Sequence, residues 1–196
     1  MRTRNTDKEQ LVKQTAIELL VNDGFEGFSM NKLAKACGIS VATLYIYYKD
    51  KDDLIIKIGT EEYRLMCEQI LENFNPEVGF EEGLRHQWKN RVRHALRSPV
   101  LGAFFEQLRS STYQQEIYEV FVDEFKETMG RFMHNAIKRG EINAMPLEVY
   151  WAIAFGPLYN LLRFHQEGRS IGGRAFILTD EMIWQAFALV IKALKN

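Results

Sequence analysis

The stretch from Ser29 to Lys51 constrains the fold more than any other part of this chain. Ser29 and Ser40 each precede a short apolar-patterned run, where a side-chain oxygen can accept from the N–H groups that a helix start leaves unpaired. Gly38 lies between the runs, and glycine suits a tight turn between two short helices. Two such helices make a helix-turn-helix, whose second helix lies in the major groove of DNA. Over Ser40–Tyr48, the residues Val41, Leu44 and Tyr48 are spaced to pack inward, and Ala42, Thr43, Ile46 and Tyr47 to face outward. No Arg, Asn or Gln lies between Ile39 and Tyr48. The bidentate readers of guanine and adenine are therefore missing, and readout must lean on Thr43, the tyrosines and apolar contact with thymine methyls. Arg2 and Arg4 could add minor-groove contacts from an N-terminal arm.

Almost everything else reads as helix. No segment alternates with period two, so a sheet is not expected. Thr6–Glu9 has capping-box form, Val12, Ala16, Leu19 and Leu20 make an apolar stripe, and Gly24 suits a helix stop. Phe25 and Phe28 are placed to plug a small core, with Leu33 and Ala34 facing it. A longer helix starts at Asp50 or Lys51 and carries Leu54, Ile58, Tyr63, Met66, Ile70 and Leu71 before a break at 73–79. Further helices are expected over 80–96, after Ser98-Pro99, over 113–139 with Phe121 and Phe132 on its apolar face, and over 146–166 with a bend at Gly156-Pro157. Thr179 caps the last one. The fold class is all-α, with about nine helices: a three-helix helix-turn-helix domain over 6–66 (the motif itself 29–48) and a helical bundle over 67–196. The boundary is placed inside the long helix because no polar linker interrupts it.

Net charge is −1 over 196 residues, which alone does not suggest a nucleic-acid partner. Residues 1–51 carry +2 and the remainder −3, a weakly basic head on an acidic body. Met1–Asp7 lacks the apolar run of a signal peptide, and Val149–Leu162, interrupted by Pro157, is shorter than the ~20 residues that span a bilayer. A cytoplasmic protein is expected. Cys37 and Cys67 stand in no metal-ligand spacing. His86, His94, His134 and His165 form no His-x-x-x-His pair, and no nucleophile motif is present. No enzyme activity, cofactor or metal is expected.

The motif resembles that of the TetR family of bacterial regulators: Ala34, Cys37, Gly38, Ile39 and Ser40 at the turn, then Thr43, Leu44, Tyr45, Tyr47, Tyr48 and Lys51. Tyr48 stands where the family usually has phenylalanine, and Val41, Ala42 and Ile46 are apolar where many members are polar. The resemblance implies that Thr43, Tyr45 and Tyr47 touch DNA and that Lys51 reaches a phosphate, with Ser29, Ser40, Val41 and Ala42 completing the interface. It implies a homodimer on operator DNA, with recognition helices ~34–36 Å apart, usually acting as a repressor. The body would then bind a small-molecule effector, Trp88, His94, Phe104, Phe125 and Met129 being candidates for the pocket lining. The last two helices would form the dimer interface, with Trp151, Phe155, Leu158, Leu162, Ile183, Phe187 and Val190. A body that recruits a protein instead of sensing a small molecule is the alternative reading.

Overall fold

The computed structural model describes residues 3–119 and 123–196, with side chains from residue 8. Among them lie ten helices and no strand: α1 (Thr3–Gly27), α2 (Met30–Cys37), α3 (Val41–Leu44), α4 (Lys51–Leu71), α5 (Phe80–Arg97), α6 (Pro99–Leu108), α7 (Gln114–Glu119), α8 (Asp123–Lys138), α9 (Leu147–Glu167) and α10 (Asp180–Leu194). Two isolated bridges, Ile142 with Lys195 and Arg169 with Ala175, tie loops together.

The expected caps are formed. Ser29 Oγ accepts from Lys32 N (3.3 Å), Ser40 Oγ from Thr43 N (3.2 Å) and Thr179 Oγ1 from Met182 N (3.4 Å). Gly38, at φ 65° and ψ 31°, closes α2 in the left-handed conformation, and its N–H donates to Lys35 O while Ile39 N donates to Ala34 O. One local expectation fails. α1 is already helical at Thr3, so Thr6–Glu9 lies inside it rather than at its start. Gly24, at φ 72° and ψ 170°, interrupts the helical conformation of α1, and a further turn runs on to Gly27. A missing Cβ lets this residue take up the positive φ. Over the expected helix 113–139 the structure describes α7 and α8. Residues 120–122, Phe121 among them, lie outside the described residues, as does the arm position Arg2 and the side chain of Arg4.

Packing divides the chain into two units, Met1–Met66 with Ser98–Phe121, and Cys67–Arg97 with Val122–Asn196. The sequence reading places one boundary, at 66/67; the return of 98–121 to the first unit has no counterpart in it. In the first unit, Val12, Ala16, Ile17 and Leu20 of α1, Leu33 and Ala34 of α2, Leu44 of α3, and Leu54, Ile55 and Ile58 of α4 are buried together. Phe104, Leu108 and Ile117 of α6 and α7 belong to the same core. Phe25 stands against Tyr113 (ring centroids 5.4 Å) and Phe104 (6.3 Å), and Gln107 Nε2 donates to Val21 O (2.8 Å). Lys13 of α1 pairs with Glu62 (2.7 Å) and Glu61 (3.1 Å) of α4.

The second unit is built on α5, whose Phe80, Leu84 and Trp88 are buried. Phe132 of α8 stacks on Phe80 (5.9 Å) and meets Phe74 edge-on (5.3 Å). It lies over Gly83, where an added Cβ would stand 2.3 Å from the ring. Pro157 lies within α9 and cannot donate to the carbonyl four residues back. The next carbonyl, of Ala154, accepts from Trp88 Nε1 (2.8 Å). Phe187 of α10 packs edge-on to Trp88 (5.3 Å), under the Arg85 guanidinium (4.5 Å).

Candidate nucleic-acid interface

α3 is a single turn, Val41–Leu44, and the chain continues through tight turns: Tyr47 N and Tyr48 N both donate to Leu44 O (3.0 Å each). Leu44 is buried and anchors the segment, while Val41 and Tyr48 are half-buried against the same core. The opposite side carries Ala42 and three consecutive exposed residues, Tyr45 (53% exposed), Ile46 (74%) and Tyr47 (39%). Large apolar side chains this exposed next to one another on a small unit suit a binding surface. Tyr48 carries the hydroxyl that departs from the usual phenylalanine. Burial pushes its phenol above the ordinary value, aided by Glu61 and Glu9, and Lys57 Nζ stands 5.8 Å from its ring.

The polar side chains of the motif already serve the fold. Thr43 Oγ1 and Ser40 Oγ share a hydrogen bond (2.8 Å) next to the backbone cap. Lys51 Nζ donates to Phe25 O (2.7 Å), tying the start of α4 to the end of α1. An ammonium has three donors, so this bond leaves Lys51 able to reach a phosphate as well.

Sequence reasoning missed how α4 holds the recognition segment. Asp50 Oδ1 accepts from Asp53 N (2.8 Å) and Asp53 Oδ2 accepts from Lys49 N (2.8 Å), a reciprocal cap. Lys57 Nζ bridges Asp53 Oδ2 (2.9 Å) and Tyr47 O (3.3 Å). Lys57 and the Lys49 N–H hold the Asp53 carboxyl below the usual carboxylate range. The i, i+3 and i, i+4 spacings of Asp50, Asp53 and Lys57 were the available signal. Tyr113 adds a bond from its hydroxyl to Asp52 Oδ1 (2.6 Å).

The pocket candidates are divided between the two units. Phe104 is buried in the core of the first unit, against Phe25 and Phe105. Trp88, His94, Phe125 and Met129 belong to the second unit, where Trp88, Phe125 and Met129 are buried and His94 Nδ1 pairs with Gln69 Oε1 (2.7 Å). A cleft of about 520 Å³ opens beside the start of α5, lined by Gly79, Phe80, Glu81, Glu82, Arg85, Glu141 and Lys195. Its charges largely answer one another, Glu81 to Lys195 and Arg85, Glu141 to Arg139.

Six of the seven interface candidates, Phe155, Leu158, Leu162, Ile183, Phe187 and Val190, are buried within the second unit itself. α9 and α10 pack on each other and α9 on α5, and these side chains fill those seams. Trp151 is exposed, and so are the apolar residues Val149, Ala152 and Tyr159 of α9 and Met182, Leu189 and Ala193 of α10, among others. Met182, Ala186, Leu189 and Ala193 fall on one helical stripe.

Among the described residues no group of three His, Cys, Asp or Glu could hold a metal ion, and no helix is long and apolar enough to cross a membrane.

Comparison with known proteins bears on this geometry. The profile of the family described as bacterial regulatory proteins, tetR family, matches residues 12–58, which contain the motif. An HTH-type transcriptional regulator of Haemophilus influenzae is 24% identical over 165 residues, covering 82% of this chain and 84% of that protein. A TetR family transcription regulator of Marinobacter aquaeolei superposes with a TM-score of 0.77 at 27% identity over 100% of both chains. The regulator FadR of Bacillus subtilis, solved in complex with stearoyl-CoA, shares the fold at a TM-score of 0.73 and 18% identity, covering 93% of this chain and 97% of that one.

Proposed function

The chain belongs to the TetR family of bacterial regulators, and from that premise we propose a homodimeric repressor that a small amphipathic effector releases from its operator. It is a DNA-binding transcriptional regulator, not an enzyme. The observation that carries the reading is the segment after Ser40: Leu44 is locked into the core while Tyr45, Ile46 and Tyr47 stand outward from it. Tyr45, Tyr47 and Thr43 read base edges, Val41, Ala42 and Ile46 meet thymine methyls, and Ser29, Ser40 and Lys51 fix the head on the phosphates. The protein acts in the cytoplasm, where its operator lies.

Dimerisation uses the outward faces of α9 and α10. Two protomers joined there place two motifs on successive major grooves. The effector is apolar over most of its length. The stearoyl-CoA bound by the Bacillus subtilis protein of like fold supports that class. Helix α4 contributes residues to both units, so a change in the body reaches the head through one continuous helix. Linkage then requires operator DNA to weaken effector binding by the same factor.

The test is titration of purified protein against its own upstream region. Tyr47→Ala weakens binding at one sequence while leaving the dimer folded. Lys51→Ala weakens binding to all sequences alike and flattens the salt dependence by about one counterion per half-site. It also lowers the melting temperature, because the bond to Phe25 O is lost. Unchanged operator affinity in both variants refutes this interface.

A further inference from the structure

The second unit buries a guanidinium that none of its carboxylates answers. Arg91 of α5 is almost wholly buried, and so are its neighbours Gln87 and Asn90 on the same helix. Its Nε donates to Tyr159 Oη (3.0 Å) and its Nη1 to Gln87 Oε1, whereas Nη2 has no hydrogen-bond partner among the described residues. Arg91 takes part in none of the ion pairs of the described residues. Its cation lies instead over the ring of Phe155 (4.0 Å) and near that of Trp151 (5.5 Å).

A second orphan packs on the same ring as the first. Tyr150 of α9 is buried, and its hydroxyl likewise has no partner among the described residues. Its ring meets Phe155 edge-on (6.1 Å), so Tyr150 and Arg91 flank the same phenylalanine. Burial pushes the Tyr150 phenol above its ordinary value, and the Arg91 charge offsets part of that rise. Native structures rarely leave buried donors unpaired, and a buried cation without an anion is costlier still. Each of these two donors around one ring is left needing an acceptor. Trp151 and Tyr159, each over a third exposed in the single chain, wall the outer side of the cluster with apolar surface on the α9 face that the proposed dimer covers.

We propose that Arg91 Nη2 and Tyr150 Oη bind the anionic oxygens of an amphipathic ligand, a carboxylate or a phosphate, whose apolar tail lies along Trp151 and Phe155. The claim deepens the sensor reading above and rests on it for its physiological meaning only. A guanidinium presents its N–H groups in a planar fork that matches either oxyanion.

Four probes at concentrations below micelle formation test it: decanoate, decyl phosphate, decanoyl-CoA and methyl decanoate. Binding is read by tryptophan fluorescence, since Trp151 lies beside the guanidinium, and by the rise in melting temperature. At least one of the three anions should bind saturably, and which one binds identifies the source of the charge. The neutral ester should bind at least about 30-fold more weakly. Tyr150→Phe removes only the orphaned hydroxyl, so it should fold normally and weaken the anion about 10- to 100-fold. Arg91→Met should abolish anion-specific binding, and a cooperative urea transition shows that it folds. The proposal is overturned if no anion binds, if the ester binds as tightly, or if Tyr150→Phe and a folded Arg91→Met both bind like wild type. Binding that depends on Arg91 but leaves operator affinity unchanged upholds the site and refutes the sensor reading instead.

Discussion

Leu189→Asp separates assembly from folding. Leu189 lies outward on α10 with 63% of its surface exposed in the single chain, so a charge there is solvated in the protomer. The cost to the protomer is mainly lost helix propensity, about 0.5 kcal/mol. In the proposed dimer both copies of Leu189 are covered. Two-thirds of a leucine's burial energy is about 1–2 kcal/mol, and the two-fold axis counts it twice. Each new carboxylate is desolvated there without a partner, at a further cost of several kcal/mol. A total of at least about 6 kcal/mol raises the dissociation constant roughly 10⁴-fold. Phe187→Asp, two residues earlier, behaves differently. Phe187 is buried between Trp88 and Trp184 under Arg85, and losing the ring alone costs about 3–5 kcal/mol before any buried charge is counted. An unpaired buried carboxylate adds several kcal/mol more, which brings the loss into the roughly 5–15 kcal/mol that holds an ordinary domain together. Sedimentation at micromolar concentration and urea unfolding decide the matter together: Leu189→Asp should be a folded monomer with weak operator binding, and Phe187→Asp should be unfolded. A Leu189→Asp dimer refutes the interface, and a stable, dimeric Phe187→Asp refutes the packing.

Gly83→Ala should be destabilising by about 1–2 kcal/mol in urea, because overpacking against Phe132 exceeds the roughly 1 kcal/mol that alanine adds to a helix; trimming the ring with Phe132→Leu in the same chain should reverse the sign of the Gly83→Ala effect. Glu141 accepts from Phe80 N and from Arg139 Nε (2.6 Å); burial alone would raise its pKa, but these two donors hold it below the usual range. A depressed folded pKa means that its stabilisation is present above the ordinary carboxylate value and is lost as pH falls through the folded one. Glu141→Gln should therefore lower the urea midpoint at pH 7, and its difference from wild type should shrink as pH falls below the ordinary carboxylate value. Replacing half-site thymines with uracil removes only methyl groups and should weaken binding at one or more positions; a half-site that ignores every such swap refutes the apolar readout by Val41, Ala42 and Ile46.

What the sequence made legible was local. Ser29, Gly38, Ser40 and Thr179 act within three residues of themselves, and their chemistry alone predicts the caps that form. The outward face of the recognition segment followed from spacing relative to Leu44. Nonlocal partners were not legible. Apolar residues on α9 and α10 looked surplus to one bundle face, yet Phe155, Leu158 and Phe187 fill seams within their own unit, since pattern says that a residue is buried and not against what. Phe104 looked like a pocket wall for the same reason and is core of the other unit. Arg91 passed unnoticed because an arginine in a helix reads as solvent-facing until burial is known.

The return of residues 98–121 to the first unit has a consequence for synthesis. The head is not an N-terminal module that could be complete once residue 66 is made. Its core waits for Phe104, Leu108 and Ile117, and the Gln107–Val21 bond closes a separation of 86 residues. At about 5–20 residues per second a ribosome takes several seconds to supply them, and the emerging α1–α4 segment meanwhile exposes the surface they will cover. All of α5 is made in that interval, so the loop that the head must close contains a principal element of the body. A gene cut after residue 66 would accordingly yield a peptide with an uncovered apolar face. An autonomous DNA-binding fragment would need α6 and α7 joined back to α4 by a short linker in place of residues 67–97.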